Sequence, residues 1–339
     1  MLQSRVDSDW FHRIPKVELH VHLEGSIPLN TLWELVMKYG GHSDAPNMEA
    51  LQKMFRYSDF PHFIKTWMWK NQFIREYEDF TLIAEAVARE MTQMNIRYSE
   101  VFYSPPDFFN HGLNTQDITI AIRKGLELVP EVEVSLIPDL VRDYGPQKAS
   151  ITLSEVNEVT DQGIIGIGLG GSEQDFPPEL FAEVFENARK LGFRTTAHAG
   201  EAAGSDSIWG AVNILQVDRI GHGTRAYEDA TLIEYLATHN IPLEVCPRSN
   251  VCTGAVATIS EHPVRRYFDQ GISITINTDD PVMFDTTLAR EYVSLMADLG
   301  FSISDIQSLI LNGIQSSWLS SERKVSLTKL FIADPSWNS

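Results

Sequence analysis

Pro15-Lys16-Val17-Glu18-Leu19-His20-Val21-His22-Leu23-Glu24-Gly25-Ser26 reads as a short apolar strand closed by a glycine turn. Residues i and i+2 of a strand point to the same side, so the imidazoles of His20 and His22 can reach one metal ion. Three further fragments end in the same manner: Thr195-Thr196-Ala197-His198-Ala199-Gly200-Glu201, Arg219-Ile220-Gly221-His222-Gly223 and Ile274-Thr275-Ile276-Asn277-Thr278-Asp279-Asp280-Pro281. Each places an ionisable residue where an apolar run gives way to a Gly or Pro turn. Together the four stretches supply three imidazole ligands, a carboxylate ligand, a separate Glu and a separate His. That is the inventory of a mononuclear hydrolytic metal site.

Apolar, β-branched runs bounded by turn residues predict eight strands: Lys16 to Leu23, Ile96 to Tyr103, Val132 to Val141, Ile164 to Leu169, Phe193 to Ala199, Arg219 to His222, Pro242 to Cys246 and Ile272 to Asn277. Helix-period segments lie between most of them, including Phe80 to Met94, Thr115 to Leu128, Pro178 to Leu191, Ala230 to Thr238 and His262 to Gln270. Such alternation belongs to a parallel sheet with outer helices, and eight units predict an α/β fold of the (β/α)8, or TIM-barrel, type. In that architecture active sites sit at the C-terminal ends of the strands. The candidate residues fall at the ends of strands one, five, six and eight.

The long segment after strand one carries Phe60, Phe63, Trp67, Trp69 and Phe73 at near-helical spacing, which predicts a helical insertion able to serve the core and to cover the site. Ser302-Ile303-Ser304-Asp305 and Ser320-Ser321-Glu322-Arg323 predict the starts of two extra C-terminal helices. No linker, repeat or low-complexity tract divides residues 1–339, so one domain is expected.

The 46 acidic and 27 basic residues leave a net charge of −19, which opposes non-specific binding to nucleic acid. No apolar stretch approaches the roughly 20 residues of a membrane span, and Met1 to Trp10 lacks the pattern of a secretory signal, so a cytoplasmic protein is expected. Cys246 and Cys252 are expected as reduced thiols.

With His20, His22, the His198-Ala199-Gly200-Glu201 segment, His222-Gly223 and Asn277-Thr278-Asp279-Asp280-Pro281, the chain resembles the adenosine deaminase family of the amidohydrolase superfamily, from about Pro15 to the C-terminal helices. The resemblance implies one zinc ion per chain, with His20, His22, His198 and Asp279 as its ligands. It implies that His222 orients and deprotonates the attacking water and that Glu201 protonates N1 of a purine whose C6 is attacked. Asp280 is expected to hydrogen-bond N7, the backbone at Gly171 to approach N3, and His22 and Glu24 to border the substrate. Ser249 matches the serine that holds the zinc-ligating aspartate.

Two positions depart from the family pattern. Glu24 stands where many adenosine deaminases carry an Asp that contacts the ribose 5′-hydroxyl, and Glu also occurs there in adenine and aminodeoxyfutalosine deaminases. Phe102 stands where Arg is usual, which is expected to alter scaffold contacts. The segment Ser249-Asn250-Val251-Cys252-Thr253-Gly254-Ala255 is similar to that of nucleoside-directed bacterial members. The resemblance therefore implies hydrolytic deamination of adenosine, and of 2′-deoxyadenosine, to inosine or deoxyinosine and ammonia.

The alternatives are adenine or 6-amino-6-deoxyfutalosine as substrate or, from another class, a purine-nucleoside-binding protein without turnover. The resemblance implies a small purine nucleoside as partner, and neither a nucleic acid nor a membrane is expected. Two-metal members of the superfamily carry a carboxylated Lys at the end of strand four; here Ile167-Gly168-Leu169-Gly170-Gly171 offers none, which favours a single metal.

Overall fold

The structure, a computed structural model, describes residues 8–57 and 60–338. The opening residues 1–7 and the side chain of Phe60 lie outside the described residues. Eight parallel strands are present: β1 (Lys16–His22), β2 (Ile96–Tyr103), β3 (Glu133–Pro138), β4 (Gly166–Ile167), β5 (Arg194–Ala199), β6 (Arg219–His222), β7 (Leu243–Val245) and β8 (Ile274–Ile276). They form a three-stranded sheet in the order β1-β2-β3 and a five-stranded sheet in the order β4 to β8.

Isolated parallel bridges link the two sheets. Leu136 to Ile164 and Asp139 to Gly168 join β3 to β4, and Val21 to Asp279 joins β1 to the residues after β8. The second junction is reinforced by side-chain chemistry, because Asn277 Oδ1 accepts the amides of Leu19 and His20 at 2.8 and 3.1 Å. All seven residues of β1 are buried, as expected of a parallel strand covered on both sides.

Strands one, two, five and six fall within one residue of the prediction, whereas β4 shrinks to two residues. Gly166, Gly168 and Gly170 leave that stretch without side chains to pack, and its remaining pairing survives only as the isolated bridges.

Helices Tyr77–Gln93, Thr115–Leu126, Ala182–Lys190, Ala230–His239 and Val264–Asp269 occupy the predicted intervals. Gly145–Asn157 and Leu288–Leu299 add two that the sequence reading did not identify. The first buries Ala149, Thr152, Leu153 and Val156, a face too weakly apolar to stand out.

The insertion after β1 is helical, with Leu29–Lys38, Met48–Met54 and Phe60–Asn71. Trp69 and Phe73 pack into the core, while Phe63 and Trp67 also face a large cavity. Both predicted C-terminal helices form. Ser302 caps Ile303–Ser316 in a reciprocal capping box with Asp305, and Ser320 accepts the Arg323 amide at the start of Ser321–Ala333.

Candidate active site

His20 and His22 end β1, His198 lies one residue from the end of β5, His222 ends β6, and Asp279 follows β8 by three residues. His222 and Asp279 both have left-handed backbones, with φ of 62° and 64°. A non-glycine residue held there stores on the order of 1 kcal/mol or more, a pattern concentrated at functional sites. The turns swing both side chains toward the β1 histidines.

The geometry is close. Asp279 Oδ1 lies 3.2 Å from His22 Nε2 and 3.5 Å from His20 Nε2, while Asp279 Oδ2 accepts the Ser249 hydroxyl at 2.6 Å. His20, His22 and His198 form one group whose ligand atoms lie within 4.8 Å of one another, and His20, His222 and Asp279 form another. The Nε2 atoms of His20 and His198 are buried and have no hydrogen-bond partner among the described residues. Two desolvated nitrogens converging beside a carboxylate form a donor set that fits a divalent borderline ion such as zinc.

Electrostatics agree with that reading. Burial disfavours charge on His20 and His22, yet Asp279, aided at His20 by Glu244, outweighs it and raises them to about 10 and about 9. Protons and a divalent cation therefore compete for the same nitrogens. His198 is driven the other way by burial and by the neighbouring imidazoles. Burial works against the charge on Asp279 too, but the close approach of the His20 and His22 imidazoles holds it well below the usual carboxylate range.

Glu201 and His222 stand beside this cluster, with Glu201 Oε2 3.3 Å from His222 Nε2. Burial, reinforced by the charges of Asp279 and Glu173, raises Glu201 to about 8, so its carboxyl holds a proton at neutral pH. Burial lowers His222 to about 3. Asn250 Nδ2 lies 3.0 Å from His222 Nδ1, and Asn250 Oδ1 accepts from Thr224 Oγ1 and faces His262 Nε2. In this amide orientation the neutral His222 ring carries its proton on Nε2 and positions an oxygen by donation. The base role requires the Asn250 amide turned over, so that its oxygen receives Nδ1–H.

Asp280 is raised to about 7 by burial and by the charge of Asp279. Adjacent carboxyls are thus pushed apart, one ionised and one holding a proton more readily. Gly25 makes room for Asp280: a Cβ there would lie 1.7 Å from Asp280 Oδ1. Gly171 has φ of 93° and a Cβ would meet Asp143 Oδ2 at 2.2 Å, so the turn after β4 admits only glycine.

These groups open on a cavity of about 800 Å³ lined by His22, Gly171, His198, Glu201, Asp279 and Asp280, with Phe63, Trp67, Asn71, Asp107 and Tyr144 farther along its wall. Glu24 is brought near the cavity but does not line it. It is buried, its Oε1 accepts the Ser104 amide at 2.9 Å, and its Oε2 has no hydrogen-bond partner among the described residues. Ser104 and Asn71 present the polar surface at this part of the wall. Phe102 lies against the ligand rings, stacking on His22 at 5.1 Å and tilted on His20 at 4.7 Å.

Several positioning groups were absent from the sequence reading. Glu173 accepts four successive amides, from Gly200, Glu201, Ala202 and Ala203, at 2.6 to 3.1 Å, and so fixes the turn that presents Glu201. Asp139, just beyond β3, accepts the Gly170 amide at 2.6 Å and lines the cavity. An ionisable residue at the end of an apolar run is the signal that selected His198 and Asp279, and it would have found Asp139 as well.

The sequence pattern of the family described as adenosine deaminase matches residues 15–333. The chain belongs to the adenosine deaminase family. An aminodeoxyfutalosine deaminase of Streptomyces avermitilis is 35% identical over 316 residues, which is 92% of this chain and 88% of that protein. An adenosine deaminase of Clostridium acetobutylicum is 32% identical, covering 93% of this chain and 96% of its own length.

Among solved structures, an adenine deaminase from Arthrobacter aurescens superposes with a TM-score of 0.87 at 28% identity, over 94% of this chain and 98% of that one. An amidohydrolase from Burkholderia ambifaria with bound Zn superposes at 0.83 and 26% identity, over 99% and 95%. Three of these proteins are named for different substrates: aminodeoxyfutalosine, adenosine and adenine. Cys246 and Cys252 are free, and no helix among the described residues is long and apolar enough to cross a membrane.

Proposed function

We propose that the chain is one functional unit, a closed (β/α)8 barrel, that hydrolyses the 6-amino group of adenosine and 2′-deoxyadenosine to give inosine or deoxyinosine and ammonia. The observation that carries this reading is the convergence of His20, His22, His198 and Asp279 beside two carboxyls, Glu201 and Asp280, whose surroundings favour holding a proton. The bridges from β3 to β4 and from the end of β8 to β1 support barrel closure.

His20, His22, His198 and Asp279 would hold one zinc ion. When bound, that ion supplies Lewis acidity that makes a water nucleophilic near neutral pH. His222 orients that water. With the Asn250 amide turned over, His222 takes the proton the water gives up as the C6–O bond forms, and Glu201 delivers its own proton to N1 as C6 becomes tetrahedral. The His222 proton then leaves with the 6-amino group as ammonia, while the C6 hydroxyl returns a proton to Glu201 as the C6–N bond breaks and the ring is restored. Asp280 donates to N7, and the backbone at Gly171 reads N3. Ser249 keeps Asp279 turned toward the ligand cluster.

Room and charge guide the choice of substrate. About 800 Å³ exceeds what a purine base alone requires, and Asn71, Ser104, Asp107 and Tyr144 offer hydrogen-bond partners for sugar hydroxyls. Asp107, Asp139 and Asp143 line the same space and oppose a phosphate dianion. A second reading, 6-amino-6-deoxyfutalosine, is favoured by the Streptomyces relative and by the same room beyond the ring.

The test is ammonia release from zinc-loaded protein offered adenosine, 2′-deoxyadenosine, adenine and 6-amino-6-deoxyfutalosine side by side, with a chelator-stripped control. Metal-dependent preference for adenosine is expected. Preference for the futalosine would move the assignment to the second reading, and absence of release from all four would favour a binding protein.

A further inference from the structure

We infer that Glu244 is a positioning residue that decides which nitrogen of His20 faces the metal, and that Arg219 holds Glu244 in place for that duty. The inference rests on the metal-site reading proposed above. Glu244, the middle residue of β7, is fully buried, and each of its carboxylate oxygens has a set task. Oε2 lies 2.8 Å from His20 Nδ1 and accepts the Thr196 hydroxyl at 3.1 Å, while Oε1 meets Arg219 Nε at 2.5 Å.

Arg219, the first residue of β6, is itself clamped. Its Nη2 lies 2.6 Å from Glu100 Oε2, its Nη1 donates to the Ser316 carbonyl at 3.0 Å, and its guanidinium lies 3.7 Å from the Trp318 ring. The chain of contacts thus runs from the C-terminal segment through β6 and β7 to the histidine that opens the site.

A carboxylate has no hydrogen to give, so Glu244 obliges His20 to present N–H at Nδ1 and leaves the Nε2 lone pair toward Asp279, 3.5 Å away. The ring cannot readily turn to exchange its nitrogens. A Cβ on Gly221 would already lie 2.9 Å from His20 Cε1, and Phe102 packs on the other side with ring centroids 4.7 Å apart.

Glu244→Gln tests this with almost no change of shape. Arg219 Nε requires an acceptor, so the Gln oxygen faces it and the Gln amide hydrogens face His20 Nδ1. That forces the imidazole hydrogen onto Nε2, where it blocks ligation. Zinc affinity, read by chelator competition, is expected to fall roughly 10- to 100-fold. Glu100→Gln removes a carboxylate from the same Arg219 without touching His20, and its affinity is expected to stay near that of the unaltered protein.

Equal losses in both variants, or none in Glu244→Gln, would overturn the inference. An unaltered protein that binds no zinc would instead overturn the metal-site reading on which it rests. Nitrogen-15 NMR of the zinc-loaded unaltered protein gives an answer even if the variant does not fold. His20 ligating through Nε2 with hydrogen on Nδ1 supports the inference, and the reverse assignment overturns it.

Discussion

At the inner end of the cavity four groups are held by a second residue: Asp279 by Ser249, His20 by Glu244, His222 by Asn250, and the turn under Glu201 by Glu173. At the outer wall the contacts are longer and fewer. Trp67 and Asn71 reach Asp107 only at 3.5 Å, Tyr144 reaches it at 3.1 Å, and Ile64 and Met68 leave much of their apolar surface exposed. Under the proposed function the inner end fixes the geometry of a reaction, which tolerates little displacement. The outer wall, under the same proposed function, meets the substituent on the purine, the part in which adenosine, adenine and aminodeoxyfutalosine, for which relatives are named, differ.

Substitutions at the inner end are therefore expected to act on turnover, and those at the outer wall on substrate preference. The largest effect is expected at Glu201. Glu201→Gln removes the transferable proton and keeps the shape, so kcat should fall roughly 10²- to 10⁴-fold while bound zinc, counted by atomic spectroscopy, is unchanged. Near-normal turnover in this variant would show that the proton comes from elsewhere.

Gly25→Ala should follow. Its new methyl group needs the space that Asp280 Oδ1 occupies 1.7 Å away, so Asp280 must move, and a displacement near 1 Å costs on the order of 10²-fold in kcat/KM. Steady-state kinetics with adenosine, alongside a melting curve to separate misfolding, would measure it.

The pH profile gives a smaller, graded effect. Glu201 is raised to about 8 by burial and neighbouring carboxylates, and in the proposed mechanism its protonated form is the active one. Activity is thus present below that value and lost as pH rises through it, up to tenfold per unit on the basic limb. A kcat/KM profile from pH 6 to 10 that stays flat would contradict the assignment.

Tyr144→Phe at the outer wall should do least, because it deletes only the hydroxyl that reaches Asp107. KM for adenosine is expected to shift by about 2- to 10-fold with kcat held. A collapse of kcat instead would erase the distinction between the two ends.

The same contrast decides what could be read in advance. His20, His22, His198, Glu201, His222, Asp279 and Asp280 sit in short contiguous motifs at the ends of apolar runs, so local pattern and resemblance were enough to pick them out, and the fold brings them together. Glu173 was hidden because its role depends on meeting the amides of residues 200–203, 27 to 30 positions away. Glu244 and Asn250 likewise act through partners on other strands.

Glu24 shows the converse limit. Its place in the motif was legible, but its carboxyl accepts the Ser104 amide behind the cavity wall, and only packing reveals that direction. Among the helices, Leu288–Leu299 carries Leu288, Tyr292 and Leu295 at helical spacing and was legible in principle. Gly145–Asn157 relies on a buried Thr152 and Ala149, so its period is faint.

Under the proposed function this inner end, holding one metal, turns over a 6-aminopurine nucleoside. Titrating chelator-stripped protein with zinc while following ammonia release from adenosine tests it most directly. Activity should start near zero, rise linearly, and break at one equivalent of zinc. Full activity in the stripped protein, or none at any zinc ratio, would contradict it.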